Sequence, residues 1–125
     1  MKKLVFYRCK HCGNISVKLV DKRVPMMCCG EFMEELTANT VDASAEKHVP
    51  VVQIMDNLVS VSVGSALHPM TEDHYIQFIV LETNKGFYVH NLTADDEPKT
   101  SFALTADEKA TSVYEYCNLH GLWKL

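Results

Sequence analysis

Alternation of apolar and polar residues is the clearest structural signal along this chain. Residues 58–63, LVSVSV, place valines on one face and serines on the other, which is the two-residue period of a half-buried β-strand. Segments rich in aromatic and β-branched residues predict further short strands at residues 75–82, 87–89, 101–104, 112–116 and 122–124. Short strands separated by frequent turns, such as Asn84-Lys85-Gly86, predict an antiparallel sandwich or barrel over residues 48–125.

Residues 1–36 follow a different pattern. Short strands are predicted at residues 4–7 and 15–19, and two cysteine knuckles, Cys9-x-x-Cys12 and Cys28-Cys29-Gly30, interrupt the segment. So short a segment buries too little apolar surface to fold alone, and a bound metal is the usual remedy. Residues 37–47 are small, polar and charged, and they predict a linker or an ordered loop. A short helix is expected only at residues 106–110.

Composition limits the classes of function. A length of 125 residues with 47% hydrophobic content allows one ordinary domain, or a small metal-stapled domain followed by a domain of about 90 residues. A net charge of -4 argues against a general role in binding nucleic acid or membrane surfaces. No apolar run approaches the roughly 20 residues of a membrane span, and no signal peptide is expected. The expected compartment is the cytoplasm, where cysteines serve metal or redox chemistry more often than disulfides.

The first candidate site consists of sulfur alone. Four thiolates can hold zinc or iron in a tetrahedral site, and this spacing by itself favours neither metal. A disulfide framework is the less favoured alternative in the expected compartment. Because two of the cysteines are adjacent, we expect a distorted angle between their sulfurs at the metal. The four residues are Cys9, Cys12, Cys28 and Cys29.

The second candidate site is rich in histidine. Its residues fall in predicted loops, which can converge at one end of a β-sandwich. Imidazole suits iron, copper, nickel and zinc, whereas a single thiolate favours a redox metal. Four imidazoles and one thiolate also leave one octahedral position open. The five residues are His48, His68, His74, Cys117 and His120. His90, in a predicted strand, is interpreted as structural, and His11 is expected to be exposed.

These motifs occur in a recognisable order along the chain. They are Cys9-x-x-Cys12 with Cys28-Cys29, Glu46-Lys47-His48-Val49-Pro50, His68-Pro69-Met70, His74-Tyr75-Ile76-Gln77, and CNLHGLWK at residues 117–124. The combination resembles the desulfoferrodoxin family of two-iron superoxide reductases over essentially the whole chain. Each motif alone is common, but their combination is highly specific.

The resemblance implies an all-β protein with two domains and two irons per chain. Residues 1–36 would form a desulforedoxin-like domain with a tetrathiolate iron centre. Residues 37–125, with 37–47 as linker or loop, would form an immunoglobulin-like antiparallel β-sandwich with the catalytic iron. In the family pattern the four histidines are equatorial ligands and Cys117 is axial. Glu46 and Lys47 match the family's mobile pair beside the open position.

The implied reaction joins superoxide, one electron and two protons to give hydrogen peroxide. Lys47 would attract the substrate anion, and Glu46 would ligate the resting ferric iron. The backbone amides of Leu119 and His120 are placed to donate hydrogen bonds to the Cys117 sulfur. The resemblance also implies a homodimer and a rubredoxin-like electron donor.

Three other functions are consistent with parts of the sequence. A non-catalytic iron protein could use both sites only to carry electrons, and azide or cyanide binding at the histidine iron would argue against it. A zinc-ribbon interaction module would be colourless, whereas ferric thiolate sites absorb visible light. A superoxide dismutase would have to oxidise superoxide as readily as it reduces it.

Overall fold

A computed structural model describes residues 4–125 and divides the chain into two compact units, with the boundary between Thr37 and Ala38. We call residues 4–37 the small unit and residues 38–125 the large unit. In the small unit, β1 pairs with both β2 and β5, and β3 pairs with β4, always antiparallel. Its strands are β1 Tyr7–Arg8, β2 Ile15–Ser16, β3 Met27–Cys28, β4 Glu31–Phe32 and β5 Glu34–Glu35.

The small unit has little apolar core. Among its described residues, Phe6 and Cys9 are the buried hydrophobic ones, at 4% and 2% exposure. Larger apolar side chains such as Leu19 and Phe32 are exposed. Because so little apolar surface is removed from water, this unit needs a further source of stability, such as a metal bound by its cysteines.

The large unit contains two antiparallel sheets. One has the strand order β10-β7-β6 and the other has the order β12-β11-β8-β9. Its elements are α1 Ala45–His48, β6 Pro50–Met55, β7 Leu58–Val63, β8 Ile76–Thr83, β9 Phe87–Asn91, β10 Lys99–Ala103, β11 Ala110–Cys117 and β12 Gly121–Lys124.

The core of the large unit joins residues from both sheets. Val59, Val61 and Val63 of β7 are at most 1% exposed and share one apolar cluster with Ile79 and Leu81 of β8. The serines that alternate with these valines lie on the other face, where the Ser60 and Ser101 hydroxyls are 3.2 Å apart. The predicted alternation and the all-β sandwich are therefore confirmed.

Three local predictions differ from the structure. The expected helix at residues 106–110 is a turn leading into β11, and the Glu108 carboxylate accepts hydrogen bonds from Thr83 and Tyr88. Five residues are too few to form a helix without tertiary support. Conversely, the segment predicted as a linker or ordered loop ends in the short helix α1. The Val49 amide, directly after this helix, donates to the Ala45 carbonyl. At the other end of the chain, the strand predicted at residues 4–7 begins only at Tyr7.

Among residues 4–125, no helix has the length and apolar character needed to span a membrane.

Candidate metal centres

Five side chains that are far apart in sequence meet at one end of the large unit. His48 ends α1, His68 and His74 lie between β7 and β8, Cys117 ends β11, and His120 lies in the turn before β12. One potential ligand atom from each residue lies within 4.8 Å of all the others. We call these five residues the histidine cluster.

The four imidazoles of the histidine cluster form a square. Around its edge, ring centroids are separated by 4.7 Å from His48 to His68 and 4.5 Å from His68 to His74. The other two edges measure 5.0 Å from His74 to His120 and 4.9 Å from His120 to His48. The diagonal from His48 to His74 is longer, at 6.5 Å. Adjacent rings are steeply inclined to each other, by 70–86°.

The Cys117 sulfur lies over one face of this square. It is 3.4 Å from His68 Nε2 and 3.9 Å from His120 Nδ1, two rings at opposite corners. Proximity to opposite corners places the sulfur over one face of the square and not beside a single histidine. Cys117 is fully buried, whereas His74 and His120 are partly exposed. The five donors therefore have the arrangement of four equatorial ligands and one axial ligand.

The spacing of the donor atoms fits a single transition-metal ion. Donors held about 2.0–2.3 Å from one ion are about 3 Å apart when adjacent and about 4–4.6 Å apart when opposite. His48 Nε2 is 3.2 Å from both His68 Nε2 and His120 Nδ1. His74 Nε2 is buried and finds no hydrogen-bond partner in the described part of the chain. A metal ion would satisfy this atom, so the residues fit the iron that the family resemblance implies.

Backbone carbonyls fix the orientation of two of the imidazoles. Nδ1 of His48 is 2.7 Å from the Ser44 carbonyl oxygen, and Nδ1 of His68 is 2.7 Å from that of Pro69. A carbonyl can only accept, so each Nδ1–H donates and each Nε2 presents its lone pair to the cluster. Such outer hydrogen bonds set the tautomer of metal-binding histidines.

Burial keeps these histidines neutral near pH 7. It lowers the pKa of His68 to about 4, against the opposing effect of the Pro69 carbonyl. Burial also lowers the pKa of His48 and His74. A neutral imidazole is the form that binds a metal ion. The cluster is therefore ready to accept an ion without first releasing protons from these rings.

Two opposing effects act on the Cys117 thiol. Burial raises its pKa, while hydrogen bonds from the backbone amides of Leu119 and His120 lower it. These are the two amides expected from their positions after Cys117. The tight turn that presents them closes at Gly121, which pairs with Cys117 and has a φ of +82°. Amide donors of this kind stabilise a thiolate.

Glu115 is a buried carboxyl that the sequence analysis did not single out. It lies two residues before Cys117 on β11, is 0% exposed, and finds no hydrogen-bond partner for either oxygen among residues 4–125. Burial raises the pKa of Glu115 to about 9, so the carboxyl is neutral at pH 7. Neutrality avoids a second buried negative charge close to the Cys117 sulfur.

Trp123 supports two members of the cluster, which the sequence did not indicate. Its ring stacks on His48 with centroids 4.9 Å apart and an interplanar angle of 22°. Its Nε1–H donates to the His120 carbonyl at 3.0 Å. The apolar character of β12 indicates only that Trp123 is buried, because the partners of its two faces depend on tertiary packing.

Glu46 and Lys47 are exposed on α1, directly before His48. The charge of Lys47 reaches the cluster: after burial and the charge of His120, it also contributes to the lowered pKa of His74. Lys47 directly precedes the buried His48, so its backbone lies beside the square of histidines. The Glu46 backbone carbonyl accepts hydrogen bonds from the Ala66 amide and the Ser65 hydroxyl.

The four cysteines of the small unit form a second cluster. Their sulfurs all lie within 4.8 Å of one another, and the Cys12 and Cys28 sulfurs are 3.6 Å apart. In the first knuckle, the Cys9 amide donates to the Asn14 carbonyl, and the Gly13 amide donates to the Cys9 carbonyl. The amide of Cys12 points at the Cys9 sulfur at 3.5 Å. The set fits one tetrahedral ion.

Adjacency of two cysteines is accommodated by unusual backbone conformations. Cys29 has a φ of +53° and Gly30 has a φ of +79°. Both values lie in the left-handed region, which residues other than glycine rarely adopt. The expected distortion of the sulfur–metal–sulfur angle stays a prediction. The backbone amide of Cys12 lowers the pKa of Cys9 to about 6, and the Cys12 side chain raises that of Cys28 to about 12.

The two remaining histidines lie outside both clusters. His11 is exposed, as predicted, and its Nε2 is 3.3 Å from the Glu31 carboxylate. His90 is an exposed residue of β9.

Comparison with known proteins identifies the family. A sequence profile described as desulfoferrodoxin matches residues 40–125. The chain belongs to the desulfoferrodoxin family. It is 45% identical over 122 residues to the desulfoferrodoxin of Syntrophotalea carbinolica, covering 98% of this chain and 95% of that protein. It is 42% identical over 118 residues to the desulfoferrodoxin of Nitratidesulfovibrio vulgaris, covering 94% and 92%.

Solved structures of superoxide reductases share this fold. The crystal structure of the superoxide reductase from Treponema pallidum superposes with a TM-score of 0.85 and 38% identity, covering 99% of both chains. A superoxide reductase (1Fe-SOR) from Giardia intestinalis superposes with a TM-score of 0.54 and 33% identity, covering 64% of this chain and 95% of that chain. The family resemblance is therefore confirmed, and the two clusters match the two iron centres of the family.

Proposed function

We propose that this protein is a superoxide reductase, which reduces superoxide by one electron to hydrogen peroxide. The observation that carries the proposal is the square of four imidazoles with the Cys117 sulfur over one face, in a member of the desulfoferrodoxin family. Iron bound there would supply the single electron that superoxide needs, and two protons from solvent complete the reaction.

The proposed ligands follow the two clusters. Residues 1–36 would form a desulforedoxin-like domain in which Cys9, Cys12, Cys28 and Cys29 would hold a tetrathiolate iron. Residues 37–125 would form the catalytic domain, in which His48, His68, His74, His120 and Cys117 would hold the second iron. The division of the chain near Thr37 and the two sets of converging donor atoms support this assignment.

The charge of the histidine cluster suits an anionic substrate. Four neutral imidazoles and one thiolate around a ferrous ion leave a net charge of +1. The proposed role of Lys47 is to add positive potential on the approach to this site, because its ammonium is close enough to affect His74. The overall charge of -4 would otherwise repel superoxide.

Cys117 and Glu46 have separate proposed roles. The thiolate of Cys117, stabilised by the Leu119 and His120 amides, would donate electron density along the axis that ends at the open face of the square. The Glu46 carboxylate would occupy that face in the resting oxidised protein. Lys47 would organise the solvent that delivers protons.

The electron donor and the assembly remain predictions from the family resemblance. We propose a rubredoxin-like donor, a homodimer and a location in the cytoplasm. Cys12 and Cys29 are exposed, which suits electron entry at the cysteine cluster.

Product stoichiometry tests the proposed function. Iron-loaded, pre-reduced protein should form one hydrogen peroxide for each superoxide consumed and release no oxygen. A dismutase would form one peroxide for every two superoxides, with oxygen. A non-catalytic electron carrier would not accelerate superoxide loss, and a zinc protein would lack visible absorption; either result would contradict the proposal.

Cys117→Ser tests the axial role. Serine is a harder ligand and removes the thiolate, so the variant should lose superoxide reduction and the visible band of the histidine iron. The spectrum of the cysteine cluster should be unchanged, because Cys117 belongs to the other set of ligands. Absorption spectra and metal content of the two proteins, with stopped-flow rates, provide the measurement. Reduction at the parent rate would show that Cys117 is not the axial ligand.

A further inference from the structure

A turn on the large unit holds the segment that carries Glu46 and Lys47, although none of its residues belongs to the histidine cluster. The turn follows β7 and consists of Gly64, Ser65 and Ala66. Its backbone amides donate to the carbonyls of Glu46 and Val49, the two residues that flank Lys47 and His48. The Ala66 amide donates to the Glu46 carbonyl at 3.1 Å, and the Gly64 amide donates to the Val49 carbonyl at 3.3 Å.

The Ser65 side chain strengthens the same attachment. Its hydroxyl donates to the Glu46 carbonyl at 3.3 Å, so this oxygen accepts two hydrogen bonds from the turn. The segment is also held from its own side, because the Lys47 amide donates to the Ser44 carbonyl at 3.2 Å. The backbone on both sides of Lys47 is thus held, by α1 itself and by the turn.

Gly64 is the residue that permits this close approach. Its φ is +84°, and a side-chain carbon added there would overlap the Ala66 carbonyl oxygen. The same carbon would be 2.7 Å from the Glu46 carbonyl oxygen and 2.8 Å from the Lys47 carbonyl carbon. Separations below 3.0 Å essentially never occur for real side-chain carbons, and these neighbours are backbone atoms that cannot rotate away.

The turn is followed two residues later by His68, a member of the histidine cluster. The His68 amide donates to the Val63 carbonyl at 3.2 Å, immediately before Gly64. One short stretch of backbone therefore sets the position of His68 and, through the Glu46 carbonyl, that of Lys47.

We propose that Gly64, together with Ser65 and Ala66, is a positioning element that holds Lys47 in place for superoxide capture. The inference rests on the proposed function and extends it to residues that bind neither metal nor substrate. The positively charged Lys47 acts over a short distance, so a shift of its backbone changes the potential at the open face of the histidine square.

Gly64→Ala tests this proposal. The variant should capture superoxide about tenfold more slowly, the scale expected for loss of a local attractive charge, and its rate should depend less on ionic strength. It should retain the visible band of the Cys117-ligated iron. Gly86→Ala is the control for loss of a glycine in the large unit, because its φ of +158° is close to extended backbone and nothing lies within 4 Å of an added carbon. Its capture rate should equal that of the parent.

A double-mutant comparison separates positioning from general damage. If Gly64 acts through Lys47, Gly64→Ala should slow capture much less in a Lys47→Ala background than in the parent. Equal slowing in both backgrounds, or a parent rate for Gly64→Ala, would overturn the proposal. If Gly64→Ala does not fold, Ser65→Ala replaces it, with the same comparison and a smaller expected slowing.

Hydrogen exchange provides a readout that does not depend on activity. In zinc-substituted protein, the Ala66 amide should exchange faster in Gly64→Ala than in the parent, because its bond to the Glu46 carbonyl is lost. Unchanged protection of Ala66 would overturn the proposal. A parent protein that cannot reduce superoxide would refute the proposed function instead, and the exchange comparison would still decide whether the turn holds the segment.

Discussion

At the scale of single residues, Glu46 and Lys47 carry opposite charges and have different proposed roles. Glu46 and Lys47 are neighbours on α1, yet only Lys47 carries the charge that attracts an anion. Lys47 directly precedes His48, and its charge contributes to the lowered pKa of His74. The two residues should therefore act at different steps.

Lys47→Ala should slow superoxide capture by about tenfold, since an attractive charge near the site is lost. The rate should also become less sensitive to salt, because screening acts on that attraction. Glu46→Ala is the comparison: it should capture superoxide at nearly the parent rate and alter only the resting ferric spectrum. Pulse radiolysis at several ionic strengths measures both. Equal capture rates for the parent and Lys47→Ala would make Lys47 an ordinary solvated lysine.

At the scale of secondary structure, a buried carboxylate attaches a turn to two neighbouring strands of one sheet. The Glu108 carboxylate accepts hydrogen bonds from Thr83 at 2.6 Å and from Tyr88 at 2.9 Å. It also accepts from the Thr105 amide at 3.3 Å. These bonds attach the turn before β11 to strands β8 and β9.

Glu108→Gln should destabilise the large unit at pH 7 and have less effect at an acidic pH well below 4.5. Hydrogen bonds from Thr83 and Tyr88 lower the pKa of Glu108 below its ordinary 4.5. A depressed pKa stabilises the fold above pH 4.5, and this contribution is lost as the pH falls through the folded value. Chemical unfolding at both pH values measures the difference. Thr83→Val should show the same pH dependence, because it removes a donor to the carboxylate.

Leu81→Ala is the control for that experiment. Leu81 is fully buried and carries no charge, so its truncation should cost about 2–5 kcal/mol at either pH. A pH-independent effect of Glu108→Gln would show that the ionised carboxylate is not what stabilises the turn.

At the scale of the whole molecule, the two units depend on metal to different degrees. The large unit has a continuous apolar core, whereas the described small unit buries only Phe6 and Cys9 among its hydrophobic residues. Binding of an ion should therefore contribute most of the folding free energy of the small unit.

Cys28→Ser should remove the metal of the small unit and unfold that unit while the large unit stays folded. Hydrogen exchange should be fast throughout residues 4–37 and remain slow in β8 and β11. Pre-reduced iron in the histidine cluster should still reduce superoxide at the parent rate. Met27→Ser, which changes an exposed neighbour, should leave both units protected. Loss of superoxide reduction with the histidine iron still bound would show that the two centres are coupled.

The sequence alone determined the strands whose pattern reflects burial. The alternating valines of β7 predict a face that packs inward, because side chains of a strand point alternately to opposite sides. The cysteine spacings and the motifs around His48 and Cys117 predicted the membership of both clusters. Local pattern also placed the turn at Asn84-Lys85-Gly86.

Only the tertiary structure decided how distant residues meet. The square of imidazoles, the sulfur over its face and the stacking of Trp123 on His48 depend on which loops the sandwich brings to one end. The turn at residues 106–110 in place of a helix depends on Glu108 reaching Thr83, a partner 25 residues away. Likewise, Gly64 shows its importance only when the Glu46 carbonyl is placed against it. Sequence periodicity records which side of an element is buried, and it carries no information on what packs there.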